Sequence, residues 1–326
     1  MDTVFVDLLS DPLYRGVLAV VLGLVIGSFL NVVIVRLPRM LEAQWRSDCE
    51  EYLQSLADHA SNAHAPQAST ATGEDGTDRA QPESSAGSAP ERSGSVYNLA
   101  HPASHCPSCG HRIRVWENIP ILSYVVLRGR CAGCKAPIGM RYPAVEAATA
   151  LLTLLVVLEF GLSMQAALAL PLTWALIALA VIDLDHQLLP DAITLPGVWA
   201  GLLISLGAVW ATPAESILGA VLGYGILRLV YEIFRLLTGK EGMGFGDFKL
   251  LALFGAWLGW QALPMIILLS SLVGALVGIA MIALLRWDRA RPIPFGPFLA
   301  AAGWIALIWG DQLRASYALL ASPTVG

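Results

Sequence analysis

Residues 142–183 read YPAVEAATALLTLLVVLEFGLSMQAALALPLTWALIALAVID, and this stretch decides the fold. It carries no lysine or arginine, and the absence of basic residues continues to Leu227, over 86 residues in all. A helix needs about 20 apolar residues to cross the hydrocarbon core of a bilayer, which is about 30 Å thick. The stretch is long enough for two such helices, so it predicts a chain that crosses a membrane more than once.

The composition of the whole chain supports the same interpretation. Of its 326 residues, 56% are hydrophobic and only 14% are charged, and the mean hydropathy is +0.63. Roughly a quarter of the residues in an average soluble domain are charged, so this chain has too few charges to cover an ordinary water-facing surface. A soluble globular protein is therefore excluded. Nucleic-acid binding is not expected either, because no basic stripe with interleaved aromatic residues occurs.

Eight apolar segments predict an all-α polytopic membrane protein with about eight transmembrane helices. The sixth segment is short, so we expect it to be tilted or partly buried in protein. The predicted spans are residues 17–35, 142–160, 164–183, 192–210, 214–234, 248–260, 262–285 and 296–311.

The segment between the first two spans is polar and has two parts. Residues 47–100 are mostly small and polar, and such a composition cannot bury enough surface to offset the entropy of ordering, so we expect disorder. Residues 101–141 contain four cysteines and predict a small folded module. The acidic start of the chain does not resemble a signal peptide, so the first span is interpreted as a retained anchor. The predicted domains are an anchor (1–40), a disordered insert (41–100), a cysteine module (101–141) and a seven-helix membrane domain (142–326).

The distribution of lysine and arginine predicts the orientation in the membrane. Cytoplasmic loops carry an excess of these residues. Nearly all of them lie on the cytoplasmic side when both termini are periplasmic and the cysteine module is cytoplasmic. Only Arg15 and Arg314 then lie outside. The cytoplasmic side receives the arginines of the module together with Arg36, Arg39, Arg46, Lys135, Arg141, Arg235, Lys240, Lys249, Arg286, Arg289 and Arg291.

Four of the five cysteines form two CxxC pairs, Cys106 with Cys109 and Cys131 with Cys134. Each pair can present two thiolates from one tight turn, and two such turns complete a tetrahedral site suited to zinc. No open coordination position is implied, so the sequence predicts a structural zinc and no catalytic metal. The alternative is a redox-active or metal-free set of thiols.

The residues around these cysteines are given simpler roles. Gly110 and Lys135 directly follow the two pairs and are expected to help the chain turn. Cys49 lies in the polar insert and is expected to take no part. The nearby histidines are interpreted as solvated loop residues; they are His101, His105 and His111.

Acidic residues within membrane spans are costly, so each is a candidate for function. Asp183 directly follows the apolar run of the third span, and Asp185 lies two residues further on. Residues two apart on a helix point to nearly opposite sides, so only Asp183 is expected to face the interior. Asp185 is interpreted as a solvated residue or a helix cap. Asp191, after Pro190, is expected to cap the start of the fourth span.

A glycine-rich loop with the sequence GMGFGDFK covers residues 242–249. Gly244 and Gly246 allow another chain to approach without a Cβ in the way, and Asp247 opens the sixth span on the same side as Asp183. A plain N-cap is the simpler interpretation of Asp247. Two carboxyls at matched depth in a low-dielectric bundle cannot both ionise easily, however, so they share a proton. One can then act as a base on water while the other polarises a carbonyl, which predicts aspartic-protease chemistry.

The sequence Gly244-Phe245-Gly246-Asp247 matches the GxGD signature of intramembrane aspartyl proteases. Taken with the other motifs, the chain resembles the type IV prepilin leader peptidases, which are also N-methyltransferases, over nearly its whole length except residues 47–100. The further matching segments are Gly27–Asn31, the paired CxxC motifs, Trp116–Pro120, Arg141–Pro143, Asp183–Asp191 and Pro294–Pro297.

The resemblance implies that Asp183 and Asp247 are the catalytic aspartates. It further implies cleavage of the leader of type IV prepilins and pseudopilins after a glycine, at the cytoplasmic face of the bacterial inner membrane. S-adenosylmethionine would then methylate the new N-terminal residue, although the sequence contains no recognisable methyl-donor fold. Two alternatives remain: a proton-coupled membrane transporter, and a scaffold of a pilus or secretion machine without chemistry of its own.

Overall fold

The computed structural model describes residues 11–63, 98–99, 104–240, 243–285 and 293–321. Within them the regular structure is helical, and only two isolated β-bridges occur, both in the cysteine module. The protein is an all-α polytopic membrane protein, as the sequence predicts. The α-helices are α1 (Pro12–Ala63), α2 (Leu122–Val126), α3 (Arg141–Phe160), α4 (Met164–His186), α5 (Asp191–Ile204), α6 (Pro213–Thr238), α7 (Phe245–Leu258), α8 (Leu263–Leu285) and α9 (Gly296–Ala321).

Helix α1 continues far beyond the first predicted span. It reaches Ala63, so the prediction of disorder is wrong for residues 47–63. This part has no glycine or proline, and eight of its 17 residues are Ala, Glu, Leu or Gln, which are good helix formers. The polar composition that suggested disorder comes mainly from residues 64–97, which lie outside the described residues. The chain divides into two compact units, residues 39–103 and the remainder.

Each predicted span overlaps a helix, but the predicted spans 192–210 and 248–260 run past the ends of α5 at Ile204 and α7 at Leu258. Five helices in the described part of the chain are long and apolar enough to cross a membrane: α1, α3, α4, α6 and the helical stretch that contains α8. Helices α5 and α7 have only 14 residues each, or about 21 Å of helix. The count of eight crossings therefore stays a prediction.

Helix α7 lies at the centre of the membrane domain. All its residues from Asp247 to Leu258, apart from the half-buried Lys249, are buried, as expected for a helix that is apolar on every side. Glycines allow α6 to pack on α7 backbone against backbone, because a Cβ on Gly219 would lie 2.1 Å from the Gly255 carbonyl oxygen. This burial agrees with the prediction that the short sixth span is tilted or partly buried in protein.

Side-chain hydrogen bonds connect the helices around α7. The indole of Trp257 on α7 donates to the Gly197 carbonyl on α5 at 2.8 Å, and the indole of Trp304 on α9 donates to Thr173 on α4 at 3.0 Å. Buried hydrogen bonds of this kind fix the relative positions of helices that apolar contacts alone hold less specifically. They set the register in which the end of α4 meets the starts of α7 and α9.

Candidate active site and cysteine cluster

Asp183 lies in the last turn of α4 and is buried, with 6% of its surface exposed. The helix ends because Gln187 adopts a left-handed backbone conformation with φ of 52° and donates its amide to the Asp183 carbonyl. Asp185 and His186 are exposed, so the two-residue spacing separates the aspartates as predicted. Asp183 is the member of the pair that faces the bundle.

Asp247 lies in the first turn of α7 and is also buried, with 7% of its surface exposed. The cap of this helix is Gly244 and not Asp247. The Asp247 carboxyl instead reaches back to the Gly244 backbone amide, as an acidic residue at the third helical position can do. Asp247 is therefore not the N-cap of α7, and a capping role does not explain why it is buried.

The structure brings the two carboxyls together. Asp247 lies within electrostatic range of Asp183, and the two repel each other when both are charged. Leu189, in the loop after α4, occupies the space beside them. A Cβ on Gly246 would lie 2.7 Å from the Cβ of Leu189, and a Cβ on Gly296 would lie 3.2 Å from the Cδ1 of Leu189. Gly246 thus allows the close approach that the sequence predicted, whereas Gly244 has open space beside it.

A third element, the start of α9, also contributes to this site. The Gly296 amide donates a buried 3.0 Å hydrogen bond to Oδ2 of Asp183. A Cβ on Gly296 would lie 2.5 Å from the same oxygen, so only glycine fits there. No role for the Pro294–Pro297 motif was predicted from the sequence, although glycine followed by proline at a helix start indicates an available backbone amide.

Two ion pairs surround the aspartates. Arg141 at the start of α3 pairs with Asp185 at 2.5 Å, and Lys249 binds both oxygens of Asp191 at 2.6 and 2.7 Å. Asp191 was expected to cap α5, but that prediction is wrong: Pro190 is the cap and Asp191 is the first helical residue. The Asp191 side chain instead binds the Lys249 ammonium on α7.

Three further acidic residues of the membrane domain have structural partners. Arg228 and Glu232 form an intrahelical ion pair at 2.5 Å. Glu146 is buried and accepts a 2.7 Å hydrogen bond from the Ile121 amide of the module. Glu159 accepts a hydrogen bond from Gln312 and lines a cavity at the opposite end of α3 from Arg141.

The four cysteines of the module lie together. Their sulfurs are all within 4.8 Å of one another, and the sulfurs of Cys106 and Cys134 are 3.8 Å apart. A zinc–sulfur bond of about 2.3 Å implies sulfur–sulfur distances of about 3.8 Å in a tetrahedral site. The residues therefore fit a zinc ion with four thiolate ligands.

The two CxxC turns have the same backbone design. The Cys106 amide donates to the His111 carbonyl and the Cys131 amide donates to the Ala136 carbonyl, and each turn lies inside an isolated β-bridge. Gly110 and Lys135 have φ values of 70° and 62°. The prediction that these two residues turn the chain is confirmed.

Protonation of the thiols also favours a cation. Backbone hydrogen bonds from Ser108 and Cys109 lower the pKa of Cys106 to about 6. Although the His111 backbone favours the Cys109 thiolate, the neighbouring Cys134 thiol raises the pKa of Cys109 to about 11. The thiolate charges are crowded, and a divalent cation would relieve that repulsion.

His111 is not the solvated residue that the sequence analysis expected. It is partly buried, and its Nε2 lies 3.0 Å from Oε2 of Glu117. The same oxygen accepts the Arg114 amide, and this hydrogen bond, followed by the His111 contact, lowers the pKa of Glu117. Glu117 thereby connects the first cysteine turn to the short 3₁₀ helix Val115–Asn118. His105 is exposed, and His101 lies outside the described residues.

Comparisons with known protein families cover most of the chain. Residues 21–160 match the family described as the bacterial peptidase A24 N-terminal domain. Residues 170–279 match the type IV leader peptidase family. The second match contains both Asp183 and Asp247, and the first contains the four cysteines.

Individual relatives match nearly the whole chain. It is 48% identical over 315 residues to the prepilin leader peptidase/N-methyltransferase of Pseudomonas putida, which covers 96% of this chain and 97% of that protein. The protein of the same name from Pseudomonas aeruginosa is 48% identical over 95% of this chain and 96% of its own length. That from Aeromonas salmonicida is 50% identical over 90% and 91%. No solved structure matches.

Proposed function

Since the chain belongs to the type IV leader peptidase family, we propose that it is a membrane aspartic endopeptidase that removes the leader of type IV prepilins and pseudopilins. It cleaves after a glycine on the cytoplasmic side and then methylates the new N-terminal residue. The observation that carries the proposal is the meeting of two buried carboxyls, Asp183 and Asp247, at one end of the bundle.

Each carboxyl faces a backbone amide, that of Gly296 for Asp183 and that of Gly244 for Asp247. A backbone amide stabilises a carboxylate more than a neutral carboxylic acid. The Gly296 amide is held close to Asp183 from a different helix, in a buried bond of 3.0 Å, so we assign Asp183 as the base and Asp247 as the protonated partner. Asp183 takes a proton from water, and the resulting hydroxide attacks the carbonyl carbon of the peptide bond. Asp247 gives its proton to the carbonyl oxygen. As the carbon–nitrogen bond breaks, Asp183 delivers its proton to the leaving amine and Asp247 recovers the proton of the diol.

The open space beside Gly244 supports an approach for the substrate chain. Gly244 is exposed, and a Cβ there would meet no atom of the described residues within 4 Å, so an extended peptide has room to hydrogen-bond to its backbone. We propose that Gly244 and Gly246 form the loop on which the cleavage site lies. The apolar stem of the prepilin then packs among the helices while its leader stays in the cytoplasm.

The proposed topology follows from the charges around this site. Arg141 and Lys249 pair with Asp185 and Asp191 next to the aspartates, as expected for the positively charged, cytoplasmic side. The active site then faces the cytoplasm of a bacterial inner-membrane protein whose two termini are periplasmic. Reporter fusions after Arg235 and after Ala321 test this orientation.

The cysteine cluster and the methyl donor belong to the second activity. The names of the relatives include N-methyltransferase, and we propose S-adenosylmethionine as the donor, which supplies an electrophilic methyl group to the free amine. Cys106, Cys109, Cys131 and Cys134 would hold a structural zinc that keeps the module folded. No side chain of the described residues is assigned to the donor.

One experiment tests both activities. The purified protein in detergent is incubated with a prepilin peptide, with and without S-adenosylmethionine, and the products are measured by mass spectrometry. We expect a new N-terminus after the leader glycine in both samples and a gain of one methyl group only with the donor. A peptide that stays intact in the presence of folded protein would exclude the peptidase and favour a scaffold. A cleaved but unmethylated product would exclude the second activity alone.

A further inference from the structure

The cysteine module exposes an apolar surface that the proposed reaction does not use. Five residues form this apolar face, and their exposed fractions are 64% for Trp116, 42% for Ile119, 56% for Leu122, 65% for Val125 and 70% for Val126. Three of them lie at positions i, i+3 and i+4 of α2 and therefore share one side of the helix. Large apolar residues clustered in this way indicate a surface that is covered by something other than water.

The apolar face lies beside the first turns of a membrane-spanning helix. The Ile121 amide, directly before α2, donates to Glu146 on α3 at 2.7 Å. Glu146 is five residues beyond Arg141, where α3 begins, which is about 7.5 Å along the helix. Helix α2 therefore starts next to the second turn of α3 and not above its end.

Other contacts hold the module in this position. The Tyr124 hydroxyl donates to the Met140 sulfur at 2.9 Å, and Met140 directly precedes α3, which begins at Arg141. Helix α3 also packs against α1 in this region, since a Cβ on Gly27 would lie 2.8 Å from the Glu146 Cα and Asn31 donates to the Tyr142 carbonyl. The apolar face stays exposed beside these contacts.

The charge of the module favours an acidic surface as the partner. Between residues 104 and 141 the single acidic residue is Glu117, whereas six are basic. Anionic headgroups attract such basic segments, and a tryptophan with a basic neighbour is typical of residues at the membrane interface. Arg114 lies over the Trp116 ring at 5.8 Å. The six basic residues are Arg112, Arg114, Arg128, Arg130, Lys135 and Arg141.

We propose that the apolar face of the module inserts into the lipid leaflet from which α3 enters the membrane. Helix α2 lies in the interfacial region, with Leu122, Val125 and Val126 among the acyl chains and the basic residues among the headgroups. The lipid surface would thereby fix the height of the cysteine cluster above the bundle. The proposal depends on α3 crossing the bilayer and not on the peptidase activity.

The test uses the full-length protein in lipid nanodiscs. The discs contain phosphatidylcholine with a photoreactive diazirine on its acyl chain, and irradiation is followed by proteolysis and mass spectrometry. We expect lipid adducts on residues 116–126 in addition to the membrane-spanning helices, and none on residues 104–114. Adducts confined to the membrane-spanning helices would overturn the proposal.

Matched substitutions sharpen the result. Val126→Glu places a charge in the apolar face, and Ser104→Glu places the same charge at an exposed position outside it. We expect Val126→Glu to lower the adduct yield on residues 116–126 at least fivefold and Ser104→Glu to leave it within twofold. Equal yields in both variants would contradict insertion. The labelling pattern of α3 and α4 reports whether each variant is folded, and if Val126→Glu is not, the adducts of the unmodified protein decide the question.

Discussion

The backbone amide of Gly296 donates a 3.0 Å hydrogen bond to Oδ2 of Asp183 across 113 residues of sequence. The contact places the start of α9 in the same site as the end of α4 and the start of α7. It is incompatible with any side chain at position 296, because a Cβ would lie 2.5 Å from the carboxylate oxygen. The site therefore depends on three helix ends and not on two aspartates alone.

Replacement of either aspartate by asparagine should abolish cleavage. Asp183→Asn removes the base and Asp247→Asn the proton donor, and each should lower the rate about a thousandfold or more. Asp185→Asn, two residues away and exposed, should stay within about fivefold of the unmodified protein. The measurement is cleavage of a prepilin peptide by mass spectrometry. Processing that persists in either buried variant would refute the assignment.

Cleavage should have a bell-shaped dependence on pH. The rate falls towards acidic pH as Asp183 gains a proton and falls towards alkaline pH as Asp247 loses one, because the reaction needs one proton on the pair. The profile of kcat/KM measured in detergent between acidic and alkaline pH checks this. A rate that does not change across the range would contradict a shared proton.

Gly296→Ala should move the acidic limb of this profile. Loss of the amide hydrogen bond to the Asp183 carboxylate costs about 1.5–3 kcal/mol, so the limb should shift by about one to two units to higher pH. The maximal rate should fall about tenfold or more. Gly310→Ala is the control, because a Cβ at this position of the same helix would meet no heavy atom of the described residues within 4 Å. It should change neither the acidic limb nor the maximal rate. An unshifted limb in Gly296→Ala would mean that the bond has no electrostatic role.

Gly246→Ala should inactivate the protein through a contact with Leu189. The new Cβ would lie 2.7 Å from the Leu189 Cβ, so the start of α7 must move away from the end of α4. We expect a loss of about a hundredfold in kcat/KM, since small displacements of catalytic groups have effects of this size. The double variant with Leu189→Ala should recover part of the rate. If the second substitution restores nothing, steric contact is not the cause.

Two glycines of α6 should differ in their effect on stability. A Cβ on Gly223 would lie 2.6 Å from the Leu251 carbonyl oxygen of α7, whereas a Cβ on Gly225 would meet nothing within 4 Å. Gly223→Ala should lower the free energy of unfolding by about 1–3 kcal/mol, and Gly225→Ala should not lower it. Thermal unfolding in detergent compares them. Equal melting temperatures would contradict the backbone contact between α6 and α7.

Loss of a zinc ligand should be distinguishable from loss of an unrelated thiol. Cys131→Ser removes a buried ligand and should abolish bound zinc, while Cys49→Ser on α1 should leave one zinc per chain. The zinc content is measured by elemental mass spectrometry and the folding of residues 104–141 by hydrogen exchange, which should become faster only in Cys131→Ser. Full zinc content in Cys131→Ser would contradict the four-thiolate site.

The sequence by itself determined the class of the protein and most candidate residues. Apolar runs of about 20 residues indicate membrane-spanning helices, and the period of a helix places Asp183 and Asp185 on different sides, so both conclusions needed no tertiary information. The two CxxC pairs fixed the cysteine cluster because their ligands lie within short turns. Composition misled at residues 47–63, where the polar character of the neighbouring stretch concealed good helix formers.

Only the tertiary structure decided which groups meet at the site. The approach of Asp247 to Asp183, the hydrogen bond from the Gly296 amide to Asp183 and the partners of Asp185 and Asp191 depend on how the helices pack. That packing follows from backbone contacts at glycines such as Gly219 and from indole hydrogen bonds such as that of Trp304. Contacts of this kind join residues far apart along the chain, and a local sequence pattern contains no information on which helix faces which.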